Sequence, residues 1–340
     1  MKRNYSLDLL RVFLCLCIII THSISFFGIS NNNVNSIILT FLSQANAIFF
    51  ILSGYFNLEK EFKNKADIIK FYKNKFITIA LPFLVFVFIL GVWDYIRVNS
   101  SFNILDYLGI YYSAIMDTSA GGHMWFLYTL FGLLLSTPFL SKALHHMDEK
   151  ELTLLWYIGL GWNFASIYLC SNFGINFRFT AWMFDDWMLY YFAGYYYRHV
   201  VVNQSKTKWA ILGIGGFVLT NIGVLFIDNF TAATTSQVLF TLFCMGCLMF
   251  WDKGINIKSE RIKNIISYLG RHTFLIYLFN FRVIDFVQRK LAITNGSVLN
   301  GLAVVIISFI GSLVLSIITG ICLKPVQRLI DKIWVIKENN

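Results

Sequence analysis

Long apolar runs broken by short polar, lysine-rich stretches organise this chain. Ten runs approach the roughly 20 residues a helix needs to cross a hydrocarbon core. They lie near residues 7–27, 36–56, 76–97, 123–141, 152–170, 184–200, 208–227, 232–251, 272–288 and 300–323. A further segment, ILDYLGIYYSAIMD at 104–117, is shorter and more polar, which predicts an interfacial or re-entrant helix. No internal repeat or low-complexity stretch interrupts the series. The pattern predicts an all-α, polytopic integral membrane protein with about ten transmembrane helices. It forms one domain over residues 1–340, with short loops, a basic cytoplasmic tail and no appended soluble domain.

Composition agrees with the pattern. Hydrophobic residues make up 57 % and charged residues only 14 %, well under the roughly 25 % of a soluble domain. The mean hydropathy is +0.63. The net charge of +10 does not point to nucleic acid. Its Lys and Arg fall in clusters between apolar runs, as in KEFKNKADIIKFYKNK at 60–75, which is how cytoplasmic loops of membrane proteins read. With the N-terminus inside, 23 of the 28 Lys and Arg fall in cytoplasmic segments and 5 elsewhere. Both termini are therefore expected in the cytoplasm. The first apolar run follows a basic start, but Asp8 and Arg11 interrupt it and no small-residue cleavage site follows, so it reads as an uncleaved first span. Cys244 and Cys247 form a C-x-x-C without a nearby His or acidic partner, so they read as packing residues.

Arg11 and His22 stand out inside that first span. Eleven residues advance a helix by about 16 Å and about three turns, so the two share one face. A snorkelling arginine and an interfacial histidine would explain each alone. Together they suggest a polar path, because ionisable groups inside a membrane usually mark function. Ser53 and Gly54 in AIFFILSGYF would let another helix approach closely. His123 and Trp125 follow two glycines at the start of the fourth span, where an aromatic belt is the simpler explanation. The segment at 176–191 offers Arg178, Trp182, Asp185, Asp186 and Trp187, a mix that suits carbohydrate or an aromatic belt with a solvated acidic pair. His145, His146, His199 and His272 read as solvated or structural.

Taken in order, these stretches resemble the membrane acyltransferases known as acyltransferase 3, which include bacterial O-acetyltransferases of surface polysaccharides. Arg11 and His22 fit its Arg/Lys, ten residues, His pattern. Phe49, Phe50, Ser53, Gly54 and Tyr55 fit its FFxxSGY/F stretch, and His123, Trp125, Phe126 and Leu127 fit its H-x-W-F-L stretch. Lys73 and Lys75 precede Pro82 where the family often carries arginines. Tyr277 is retained near the C-terminus, and Asn280 stands where the family often has histidine.

The resemblance implies acyl transfer to a hydroxyl. His22 is the expected base, and Arg11, about three turns away on the same face, is the other expected catalytic residue. Arg11, Lys73 and Lys75 are expected to meet the phosphates of acetyl-CoA, an acyl-donor substrate rather than a permanently bound cofactor. Ser53, Tyr55, His123, Trp125, Tyr277 and Asn280 are expected to line the substrate path. The implied partners are the lipid bilayer of a bacterial inner (plasma) membrane, acetyl-CoA, and a surface glycan or lipid-linked sugar acceptor. A partner protein or a homo-oligomer would also fit. A glycan or small-solute transporter on the same scaffold is the alternative.

Overall fold

The computed structural model describes residues 3–98, 103–116, 122–169, 187–226, 237–291 and 296–338. Among them twelve α-helices follow one another: α1 Tyr5–Ser23, α2 Asn32–Asn57, α3 Lys65–Lys75, α4 Leu81–Val98, α5 Ile104–Met116, α6 Trp125–Leu144, α7 Glu149–Asn163, α8 Trp187–His199, α9 Lys206–Phe226, α10 Gln237–Gly254, α11 Glu260–Leu291 and α12 Val298–Glu338. No strand occurs among the described residues.

Among the described residues six helical stretches are long and apolar enough to cross a membrane: Tyr5–Phe27, Asn32–Asn57, Lys65–Val92, Trp125–Leu144, Lys206–Phe226 and Val298–Lys332. The other four expected runs are helical over their described residues, but shorter or more polar. α8 has 13 described residues, five of them tyrosine. α11 opens on a charged, exposed turn. The short segment expected at 104–117 is α5. It packs antiparallel to α4, with Tyr107 Oη donating to the Phe88 carbonyl at 2.6 Å and Tyr111 Oη to the Leu84 carbonyl at 3.2 Å.

Around α1 the bundle is dense. Leu7, Leu10, Leu14 and Ile19 are fully buried. α2 runs antiparallel to α1, so Arg11 meets Phe56 while His22 meets Ser43 and Asn46. α11 runs parallel to α1: Asp8 packs on Gly270 and His22 on Phe281. α12 returns antiparallel to α11, pairing His272 with Ser316 and Gly311 with Val283.

Two glycine contacts fix this frame. Gly54 of α2 and Gly194 of α8 let the two backbones touch. A Cβ on Gly54 would lie 1.8 Å from the Tyr191 carbonyl oxygen, and one on Gly194 would lie 2.0 Å from that of Ile51. This is close small-residue packing, as expected for the Ser53-Gly54 step. Gly28 ends the 3-10 turn after α1 at φ 65°, against the backbone of Gly296. That conformation and that contact both favour a residue without a side chain.

A π-turn at Phe76–Ala80 joins α3 to α4. Pro82 is the local reason. It has no N–H, and its ring crowds the carbonyl four residues back, that of Thr78. The Leu81 N–H bonds instead to Phe76, five residues back. Lys75, the last residue of α3, lines a cavity together with Arg11 of α1.

Candidate active site

The polar face of α1 opens into two cavities along the seam between α1, α2 and α6. One is small, about 60 Å³, and is lined by His22, Ser43, Asn46, His123, Trp125 and Tyr277 among others. Two hydroxyls on its wall, those of Thr21 and Ser43, are engaged with their own helices. Thr21 Oγ1 donates to the Cys17 carbonyl at 2.9 Å and Ser43 Oγ to the Leu39 carbonyl at 2.7 Å. The two imidazoles are not engaged in this way. His22 is half-buried and has no hydrogen-bond partner among the described residues. Both ring nitrogens of His123 are buried without a well-aligned one, and the ring feels the Leu278 backbone.

His123 is held by its surroundings rather than by its ring nitrogens. The turn Gly122–Met124 delivers it to the start of α6. The Tyr277 hydroxyl donates to its backbone carbonyl. Phe281 stacks on the ring at 4.9 Å, with the planes 22° apart. His22 meets the same Phe281 edge-on at 5.6 Å and His123 at 6.1 Å. Buried polar groups are nearly always hydrogen-bonded. Two buried nitrogens without a well-aligned partner, on a ring that lines a cavity with a second histidine, therefore mark a place suited to a ligand.

The second cavity, about 210 Å³, lies toward the start of α1. Arg11, Ser53, Phe56, Asn57 and Lys75 line it. Arg11 Nη1 pairs with Asp8 at 2.9 Å, and its guanidinium lies 4.5 Å over the Phe56 ring. Asp8 is shared with Arg3 at 2.6 Å. Lys60 and Lys75 both lie near the Phe71 ring, at 4.9 and 5.4 Å. Lys75 has no acidic partner among the described residues and feels the repulsion of Lys60 and Arg11. Asp8 is thus one carboxylate set against several cations, and the cavity is electropositive.

Phe126 packs against a lining residue of each space. Its ring lies 4.4 Å from Phe50, 5.4 Å from Tyr277 on the histidine side and 6.3 Å from Phe49 on the arginine side.

Residues 4–321 match a family described as Acyltransferase domain. The chain belongs to the acyltransferase 3 family. No curated protein matches it, and no solved structure does. As a member it is an enzyme, a membrane acyltransferase.

The acyltransferase gathers some of the expected site residues and leaves others apart. His22, His123, Trp125 and Tyr277 share the small cavity. Arg11, Ser53 and Lys75 share the larger one. Lys73 points elsewhere and pairs with Asp331 of α12 at 2.9 Å. Two residues along a helix turn the side chain through about 200°, so Lys73 and Lys75 cannot both face the cavity. Tyr55 lies under the Arg198 guanidinium at 5.0 Å, beside the ion pairs that Glu59 makes with Arg198 at 3.1 Å and His199 at 2.8 Å. It lines neither cavity. Asn280 is fully buried behind Tyr277, donating Nδ2–H to the Tyr277 carbonyl while its Oδ1 has no partner. Trp187 packs on Trp125 at 4.8 Å, whereas Arg178, Trp182, Asp185 and Asp186 lie outside the described residues.

Three residues of the acyltransferase site carried no sequence signal. Asn46 is one polar position in an apolar run, Phe56 is one phenylalanine among 34, and Lys60 looks like any loop lysine.

Chemically, the two spaces suit different halves of an acyl transfer. A cavity bounded by imidazoles can accept and return a proton near neutral pH. An electropositive cavity with an arginine and lysines can hold phosphate.

Proposed function

We propose that this protein is an O-acetyltransferase that moves an acetyl group from cytosolic acetyl-CoA to a hydroxyl of a bacterial surface glycan or its lipid-linked precursor. The observation that carries the reading is the division of one α1 face into a cationic cavity at Arg11 and an imidazole cavity at His22. A polyphosphate head with a flexible thioester arm matches that layout. The phosphates meet Arg11 and Lys75, and the arm spans the roughly 16 Å between Arg11 and His22.

In the reaction, His22 takes the proton from the acceptor hydroxyl. The hydroxyl oxygen bonds to the thioester carbonyl carbon, the C–S bond breaks, and the CoA sulfur leaves with the proton His22 returns. His22 thus serves as base and then acid. Ten passes with both termini in the cytoplasm of a bacterial plasma membrane fit this route. Alternating helix directions support that count, and the lysine-rich segments support the orientation. Arg11 then lies at the cytosolic side, where acetyl-CoA is, and His22 nearer the outer side.

The test is transfer of radiolabelled acetyl from acetyl-CoA to total surface glycan, using membranes with wild-type protein or with His22→Ala at equal folded yield. Label entering glycan with wild type alone is expected. Equal labelling would remove His22 as the base. Failure of wild type both to label glycan and to bind CoA would overturn the reading.

A further inference from the structure

Asn46 is the polar wall residue of the small cavity that neither the motifs nor the proposed reaction has used. It sits on α2, half-buried, and makes no hydrogen bond among the described residues. Its neighbour Ser43 is committed to the Leu39 carbonyl. The carboxamide of Asn46 therefore has its donors free toward the space that His22 and His123 bound. His123 lies on another wall, but a neutral imidazole carries one N–H and the Leu278 backbone competes for it, so Asn46 is the donor for this space.

Size decides what can occupy this space. A water needs roughly 10–15 Å³ of such volume, so about 60 Å³ admits on the order of four water-sized groups. A sugar ring does not fit. An acetyl group and the one hydroxyl oxygen that attacks it do. The groups lining this cavity therefore act on the reacting atoms rather than on the body of the acceptor.

We propose that the Asn46 carboxamide binds the acyl carbonyl oxygen and stabilises the oxyanion formed during transfer. The assignment rests on the acetyl-CoA reading above. When the hydroxyl oxygen bonds to the carbonyl carbon, the C=O π pair moves onto the carbonyl oxygen and the hydroxyl proton moves to His22. Asn46 Nδ2–H donates to that negative oxygen. When the C–S bond breaks, the pair returns to re-form C=O, and the sulfur takes the proton from His22. No other reactant is needed. Preorganised donors of this kind, away from water, gain most as charge develops; losing one typically costs about 10²–10³ in kcat.

Two measurements test the assignment. The first is turnover of Asn46→Ala and Asn46→Asp beside wild type and His22→Ala, at equal folded yield. The expected result is a roughly hundredfold fall in kcat for Asn46→Ala with KM for acetyl-CoA within about threefold. Asn46→Asp, which keeps the shape but replaces the donor with an acceptor, should be at least as slow. The second is the infrared carbonyl stretch of carbonyl-13C acetyl-CoA bound to His22→Ala, which holds the donor without consuming it. In that protein the stretch should lie below its value in water, and adding Asn46→Ala should raise it. A kcat for Asn46→Ala within threefold of wild type, or a carbonyl stretch indifferent to Asn46, overturns this assignment and leaves the acetyl-CoA reading in place. Absence of any bound acetyl-CoA band overturns both.

Discussion

The two ends of the α1 face are built on opposite principles. At the Arg11 end charge is abundant and shared: Asp8 holds Arg11 and Arg3, and the Lys60 and Lys75 ammoniums rest on Phe71. At the His22 end no acidic side chain lines the cavity, and the imidazoles that do line it have no side-chain partner among the described residues. The first arrangement holds a charged head that stays charged throughout. The second keeps neutral groups poised for a charge that exists only while bonds change. An enzyme gains rate from interactions that strengthen in the transition state and gains affinity from those that do not. The Arg11 end should therefore govern donor affinity and the His22 end turnover.

The largest expected effect removes both ends at once. Gly54→Leu places a side chain where even its first carbon would lie 1.8 Å from the Tyr191 carbonyl oxygen, so α2 cannot seat on α8. Folded yield, read as monodisperse protein after detergent extraction, should fall to near zero. A normal yield would mean that this crossing is not what holds α2. Next comes the split itself. His22→Ala should lower kcat by about 10²–10⁴ with the Kd for CoA within about twofold, measured by calorimetry in nanodiscs. Parallel losses of affinity and turnover would erase the distinction between the ends.

Lys75→Met sharpens the comparison from the other side. Losing one charge-assisted contact, worth about 1.5–3 kcal/mol, should weaken CoA binding at least tenfold, with less difference at high salt. The smallest effect is expected at Lys73→Ala. Its partner Asp331 is 57 % exposed, and such surface pairs are worth about 0–1 kcal/mol. CoA affinity should stay within about twofold of wild type, and a tenfold loss would put Lys73 back at the donor.

Much of the frame is legible in the pattern. Apolar run length alone locates nearly every helix, because crossing hydrocarbon demands satisfied backbone and about 20 apolar residues. The run at 104–117 is too short to cross easily, and α5 packs against α4 instead. The face shared by Arg11 and His22 follows from helix geometry, since both lie on one element with a fixed repeat. The Ser53-Gly54 step has the small residues of a close approach, and Gly54 touches α8 there.

Sidedness within a helix is harder to read. Lys73 and Lys75 look equivalent as a basic pair before a proline. Yet Lys73 pairs with Asp331 of α12 while Lys75 lines Arg11's cavity. Ser53 and Tyr55 look equivalent inside one motif, yet two residues on a helix face nearly opposite ways, one toward Arg11 and one toward Arg198.

The sequence by itself determined the helices, their membrane character, the family and the polar face of α1, because each depends on local composition and a fixed helical period. Only the tertiary structure decided that His22 meets His123 across about 100 residues of chain, and that Asn46 opens into their cavity while Tyr55 and Lys73 turn away. Those outcomes depend on which helices pack together and at what rotation, and packing is settled by side-chain fit between segments far apart in sequence.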